Sequence, residues 1–196
     1  SVTNSILNSP LLETTKGSRG KEFWLGMPKN AVTPSTLTVF ITGETNTVGN
    51  LSVPGLGLFT NFTVVAGTVI ALELPPETQV ENSDQVTDQG IHITAEDDVS
   101  VYGYTHIDAS TDAYLALPVN TLGTNYVVLA YPDGVGPFNN MGSSSFLIVG
   151  TMKNTKVTIT PTATSGARTA FATYSTNLNQ GETYQLLADW PVGDLS

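Results

Sequence analysis

The sequence predicts an all-β protein: two tandem, related β-sandwich-like units behind an N-terminal arm. Three observations lead there. Apolar and polar residues alternate in short runs, as in TLTVFIT (36–42), where Leu37, Val39 and Ile41 fall on one face. No long stretch carries apolar residues at the i, i+3, i+4 spacing of a helix, and the runs are rich in Val, Thr, Tyr, Phe and Ile, which suit a pleated surface. Gly, Pro and Asn punctuate these runs, and the whole rhythm occurs twice.

Residues 1–20 (SVTNSILNSPLLETTKGSRG) have weak periodicity and end in a Gly/Ser/Arg stretch; they are expected to form the arm, with one short strand around Ile6–Leu12. The first unit is expected over 21–106. It begins with EFWLGMP, stopped at Pro28, and continues through TLTVFIT and NLSVPG (50–55). LFTNFTVV (58–65) and TVIALELP (68–75) flank Ala66-Gly67, which reads as a tight hairpin turn. A polar loop covers 75–90. The second unit is expected over 107–196: TDAYLALPV (111–119), NYVVLAYP (125–132), a Gly/Pro/Asn-rich loop at 133–145, then SFLIVGT, TKVTIT, FATYSTNL and ETYQLLAD, with Asn179-Gln180-Gly181 as the last turn. GKEFWLGMP (20–28) is echoed by GTNYVVLAYP (123–132), and LTVFIT with its Gly67 pair is echoed by TKVTIT with its Gly181 pair. The first unit closes with IHITAEDDVSVYGYTHI (91–107). The second has no counterpart to it before DLS, so this unit reads as truncated at its C-terminus, or as completed by another segment.

At 196 residues the chain is long enough to bury a substantial core. Hydrophobic content is 40% and mean hydropathy is +0.04, values of a globular chain rather than a disordered one. Charged residues make up only 12%, against about 25% in ordinary soluble domains, and Thr, Ser, Asn and Gly supply the polarity. That surface suits a secreted or cell-surface protein. Net charge is −10, from 7 Lys and Arg against 17 Asp and Glu. Such a chain repels phosphate backbones and anionic membranes, which argues against nucleic acid as a partner. The absence of cysteine excludes thiol catalysis, disulfides and thiolate metal sites. No apolar run reaches the roughly 18 residues of a membrane-spanning helix, so no direct membrane insertion is expected. The chain opens with Ser and carries no signal segment, as expected of a processed or excised piece of a longer protein.

The residues able to carry chemistry are few. IHITAEDDVSVYGYTHI holds both histidines, His92 and His106, and three consecutive acids, Glu96, Asp97 and Asp98. The alternation on each side makes two strands, and Ala95–Asp98 then reads as a solvated turn, where Asp bonds nearby amides. Calcium ligation by Glu96, Asp97 or Asp98 is the alternative, although the run lacks the spacing of an EF-hand loop. Zinc is less favoured with two histidines and no cysteine. A second acidic pair, Asp108 and Asp112, stands among Ser110 and Thr111; it reads as a capped turn, with calcium or a sugar as the alternative ligand. Tyr102, Tyr104, Tyr114, Tyr126 and Tyr131 form an aromatic-rich centre, mostly core, with some able to serve a binding surface. No G-x-S-x-G elbow and no phosphate-binding glycine loop occurs. No catalytic residue and no cofactor follow from these patterns. Asn50-Leu51-Ser52 and Asn61-Phe62-Thr63 are glycosylation sequons that matter if the source is eukaryotic and the protein secreted.

The series GKEFWLGMP, LTVFITG, GIHITAEDDVSVYGY, STDAYLALPVNTLGTNYVVLAY, SSSFLIVGTMKNTKVTITPTAT and TNLNQGETYQLLA resembles the N-terminal domain family of IgGFc-binding proteins, from about Gly20 to Ser196. The resemblance implies an extracellular adhesion or recognition module inside a larger secreted or surface protein, binding protein or glycan, and not an enzyme. It also implies that the second unit continues beyond DLS into a further strand pair. It does not imply immunoglobulin binding here. Two other functions stay open at this point. The protein could be a structural subunit that self-associates by donating the arm, residues 1–20, as a strand to a neighbour's open sheet edge. It could also be a glycan-active enzyme using Asp108 and Asp112, because paired carboxylates are defined by three-dimensional spacing. The loops at 75–90 and 133–145 are the expected contact regions, being long and turn-rich.

Overall fold

The computed structural model describes residues 17–30, 34–108, 110–131, 143–189 and 193–196. The expected strand at 6–12, nearly all of the arm and most of the 133–145 loop lie outside these. The chain is all-β. Its strands are β1 (Gly20–Leu25), β2 (Thr36–Gly43), β3 (Thr47–Val53), β4 (Leu58–Val64), β5 (Val69–Leu74), β6 (Gln85–Thr87), β7 (Ile91–Ile107), β8 (Ser110–Ala116), β9 (Ser145–Val149), β10 (Thr155–Ile159), β11 (Tyr174–Leu178) and β12 (Thr183–Leu187). Three-residue 3-10 turns sit at Pro54–Leu56, Pro76–Thr78 and Val119–Thr121.

β7 is the spine of a seven-stranded antiparallel sheet that curls into a half-barrel. On one edge its first half pairs with β3 (Leu51 opposite Ile93) and its second half with β2 (Val39 opposite Gly103). On the other edge β1 takes the first half and β8 the second. β2 and β3 therefore run end to end along β7, and β4 and β5 run end to end along β3 and β2. The β2–β3 and β4–β5 paths break at the same level, at 44–46 and at 65–68, opposite residues 95–98 of the continuous β7. There the sheet turns a corner. The two layers of this unit are thus the two halves of one folded sheet, and the inward residues of both halves form one core. Phe23, Val39, Ile41, Leu51, Val53, Ile91, Ile93, Val99 and Val101 are all buried in it. Each large apolar side chain so buried contributes about 1.5–3 kcal/mol, which is why alternation alone selects this face.

Two expectations at the corner need correction. Ala95–Asp98 is not a turn: β7 runs through it without interruption for 17 residues. Along β1, Gly20 faces Val99 and Glu22 faces Thr94, so four residues of β7 bulge opposite Lys21 alone. Of the acids on this bulge, Glu96 and Asp97 are exposed and Asp98 is half-buried. Ala66-Gly67 is not a hairpin turn either. β4 and β5 pair with different partners, and Gly67, at φ +74°, instead donates its N–H to the Gly43 carbonyl across the corner at 2.9 Å. Sequence alternation cannot tell a strand that turns back from one that bends and goes on, because both need the same small residues at the break. Side chains complete the corner: Asn46 Oδ1 accepts the Ala66 N–H, and Thr47 Oγ1 accepts the Asp97 N–H.

The second half repeats the plan. β9 and β10 run end to end, as do β12 and β11, with β9 on β12 and β10 on β11. Gly181, at φ +84°, donates to the Gly150 carbonyl at 2.8 Å, as Gly67 does to Gly43. A second core gathers Ile159, Leu178, Tyr184, Leu186, Ala188 and Leu195. The chain also crosses between the halves. β8, from the start of the expected second unit, pairs with β7, and β6, from the 75–90 segment, pairs with β12. The stretch 125–132, expected as a strand, pairs over 125–131 with no strand among the described residues.

Gln185 ties the halves together. It is fully buried, accepts the Lys29 N–H at 2.8 Å and donates to the Val80 carbonyl at 2.9 Å. Nearby, the Val80 N–H reaches the Met27 carbonyl. The 75–90 segment therefore packs between the units through Thr78, Gln79 and Val80, while Pro76, Glu77, Asn82, Gln85, Val86 and Asp88 stay exposed.

Candidate functional site

The outward face of the first sheet carries two rows of side chains across β4, β3, β7 and β1. Registers place Phe59, Ser52, His92 and Trp24 in one row, and Asn61, Asn50, Thr94 and Glu22 in the next. The inward residues between them on β3, β7 and β1 (Leu51, Ile93 and Phe23) are buried and hold these strands on the core, while Thr60, between Phe59 and Asn61 on the edge strand β4, is exposed. At the Trp24 end the face is closed. The indole stacks on the His92 ring at 4.2 Å, and Gly181 backs against it so closely that a Cβ there would lie 3.1 Å from the ring. Glu22 Oε1 meets His92 Nε2 at 3.1 Å. This half of the face is an interface between the units.

The other half is open. Val48, Asn50, Asn61, Thr63, Thr94 and Glu96 surround a shallow groove of about 450 Å³. Asn50 and Asn61 are direct cross-strand neighbours, and Asn50 Nδ2 donates to Thr94 Oγ1 at 2.8 Å, which leaves the amide oxygen and the Asn61 amide facing the groove. Phe59, on the same face one row away, is 62% exposed. The Lys21 ammonium donates to the Glu96 carbonyl at the rim. The groove therefore offers amide donors and acceptors, a hydroxyl, one carboxylate and an aromatic platform, a set that suits a neutral, hydroxyl-rich or peptide-like ligand.

The residues singled out in the sequence fall as follows. Glu96 and Asp97 are exposed on the β7 bulge, and Asp98 is half-buried there. Asp108 follows β7, and Asp112 lies on β8 opposite Thr105, both exposed. Among the described residues no three His, Asp or Glu side chains gather where they could hold a metal ion. His92 and His106 sit near opposite ends of β7, and His106 Nδ1 meets Thr111 Oγ1 at 2.7 Å. Of the five tyrosines singled out among the seven, Tyr114 crosses over Gly103 and donates its hydroxyl to the Gly26 carbonyl. Burial pushes that hydroxyl's pKa well above the ordinary value. Tyr104 is half-buried, Tyr102 is 40% exposed, and Tyr126 and Tyr131 are largely exposed. Sequence reasoning missed the groove. Both of its asparagines were visible as sequon residues, but their pairing needed the β3–β4 register.

A second polar cluster closes the far side of the unit junction. Arg168 Nε donates to both carboxylate oxygens of Asp84 at 2.9 Å, and its guanidinium lies 4.1 Å over the Tyr174 ring. The Tyr184 hydroxyl donates to Asp84 Oδ1, and the two tyrosine hydroxyls are 2.8 Å apart. Burial raises the Tyr184 hydroxyl's pKa, and the Asp84 acceptor reinforces the shift. Every strong acceptor here already has a donor, so the cluster is a clasp.

The architecture is thus an all-β scaffold of two bent-sheet repeats that presents a polar face. Residues 112–196 match the family model described as IgGFc binding protein, in agreement with the resemblance carried by the sequence blocks. The match covers the second repeat and part of β8; the groove lies outside it. No curated protein and no solved structure matches the chain. Among the described residues no helix is long and apolar enough to cross a membrane.

Proposed function

We infer that the protein is an extracellular adhesion or recognition module that binds a protein or glycan partner through non-covalent contacts. The matched family is described as a binding protein, and the low-charge, hydroxyl-rich composition suits a secreted or surface setting. The observation that carries the reading is the open groove beside Phe59, with Asn50 and Asn61 set side by side on a rigid sheet. Amides on a sheet lose little entropy on binding, because their backbone is already fixed. Hydrogen bonds to a partner's hydroxyls or amides would give specificity, and Phe59 would supply the apolar contact.

A glycan and protein array tests this. The unmodified protein is expected to bind a discrete set of targets. Asn61→Ala and Phe59→Ala, both at exposed positions that leave the core intact, are expected to weaken that binding at least tenfold at unchanged melting temperature. Variants that bind like the parent would remove the groove from the function.

A further inference from the structure

The bend divides the outward surface of the first sheet in two. The groove lies on the half built by β4, β3, β7 and β1. The other half, across β5, β2, β7 and β8, carries a different set of side chains. Registers place Phe40, Tyr102 and Leu115 side by side in one row, and Glu73, Thr38 and Tyr104 in the next. His106 faces Thr111 in the row after that. Val39 and Val101, between these rows, are fully buried, so the alternation that builds the core also fixes the outward set.

The rings on this face hold one another. Phe40 meets Tyr104 edge-on with centroids 5.6 Å apart, and Tyr104 lies nearly parallel to His106 at 6.0 Å and 16°. His106 Nδ1 is in turn held by Thr111 Oγ1. Tyr102 stands between Phe40 and Leu115, and Tyr102 and Leu115 are each 40% exposed. Rings braced in this way lose little rotamer freedom when a ligand docks. The charge pattern narrows the ligand. These rows hold no Lys or Arg, and Glu73 is their one carboxylate. No cation is in place to receive a sulfate, carboxylate or phosphate, and Glu73 repels one.

We propose that the outward face of β5, β2, β7 and β8 is a second binding surface, and that its occupant is an uncharged, extended glycan chain of pyranose rings with equatorial hydroxyls. Such a sugar has C–H groups on its faces and hydroxyls at its rim. The negative face of an aromatic ring attracts those C–H groups, and the tyrosine and threonine hydroxyls meet the rim. The face spans four strands, about 14 Å at the usual strand spacing, which is room for linked sugars rather than one. The inference is independent of the groove, which lies on the other half of the sheet.

The probe is cellohexaose, an uncharged β-1,4-linked chain, added to the isotope-labelled full chain while amide chemical shifts are followed. The control is a hyaluronan hexasaccharide, a chain of the same length that carries carboxylates. Cellohexaose is expected to shift amides at 38–40, 102–106 and 113–115 and to leave 48–50 and 61–63 in place. The control is expected to move neither set. Tyr102→Ala and Leu115→Ala, each the loss of a partly exposed side chain outside the core, are expected to weaken binding at least tenfold. Tyr102→Phe keeps the ring and is expected to bind within about threefold of the parent. Leu115→Ala is read at unchanged melting temperature, so it carries the test if Tyr102→Ala fails to fold. No shifts with cellohexaose, or equal shifts with the control, would overturn the surface. Shifts confined to 48–63 would overturn it too and place the glycan in the groove instead. Parent-like affinity in Leu115→Ala and in a folded Tyr102→Ala would have the same consequence for the surface. A sugar-free dimer abolished by Leu115→Ala would assign the face to a second copy and overturn the glycan occupant.

Discussion

Tyr114 shows how single residues set this fold. Its ring occupies the space over Gly103, where any Cβ would come within about 2.5 Å, and its hydroxyl reaches past β7 to the Gly26 carbonyl. Tyr114→Phe keeps the ring and leaves that carbonyl unsatisfied, so it is expected to cost about 1–2 kcal/mol in urea unfolding. The pH dependence has a definite sign. The folded state holds the Tyr114 pKa above its unfolded value near 10.0, so the folded state resists losing the proton. Stability from this group is complete below about pH 10 and falls as pH rises above it. Melting curves from pH 8 to 11 should show that decline, and Tyr114→Phe should make it shallower. An identical slope in the variant would remove Tyr114 from the effect.

Elements here are defined by where strands bend. Gly67 and Gly181 hold the same corner in the two repeats, each with a positive φ that a side chain resists. They differ in surroundings: a Cβ at Gly67 meets nothing within 4 Å, whereas one at Gly181 meets the Trp24 ring. Gly67→Ala is therefore expected to cost about 1 kcal/mol, the backbone penalty alone. Gly181→Ala should cost measurably more, because the Trp24–His92 stack must also shift. Equal losses in denaturant midpoints would contradict this account. Most strand segments were legible in the sequence, since Leu37, Val39 and Ile41 alternate over a buried face as period-two patterning requires. But β6 lies in a stretch that reads as loop, and 125–131, which reads as strand, pairs with none among the described residues. The corners were not. Ala95–Asp98 and Ala66-Gly67 carry turn residues, and only pairing partners reveal that the backbone continues through them.

The whole molecule depends on the seam between its repeats. Gln185 sits there with no solvent exposure, serving Lys29 on one side and Val80 on the other. Gln185→Leu fills the same space but strands the part-buried Lys29 N–H and the buried Val80 carbonyl. It is expected to destabilise the protein by about 2–3 kcal/mol. If the repeats unfold as one body, tryptophan fluorescence and far-ultraviolet dichroism should report a single coincident transition in the parent protein. Separate transitions in the parent would mean that the seam does not couple the repeats. The clasp of Asp84, Arg168, Tyr174 and Tyr184 works at the same scale, fastening the 76–90 crossing to β11 and β12. In the sequence these four were unremarkable, because they lie far apart along the chain and converge only after both repeats have folded.

By itself the sequence determined the all-β class, the doubling of the motif and the poverty of reactive groups. Each of these follows from local alternation, turn chemistry and composition, which act over a few residues at a time. Tertiary structure decided which strands face each other. It made β7 a single spine, set Asn50 beside Asn61, sent β6 across to β12 and left 125–131 in solvent. The physical reason is that strand pairing is non-local: a hydrogen-bond ladder joins residues scores of positions apart, and the choice among edges is made by the buried area of the finished core.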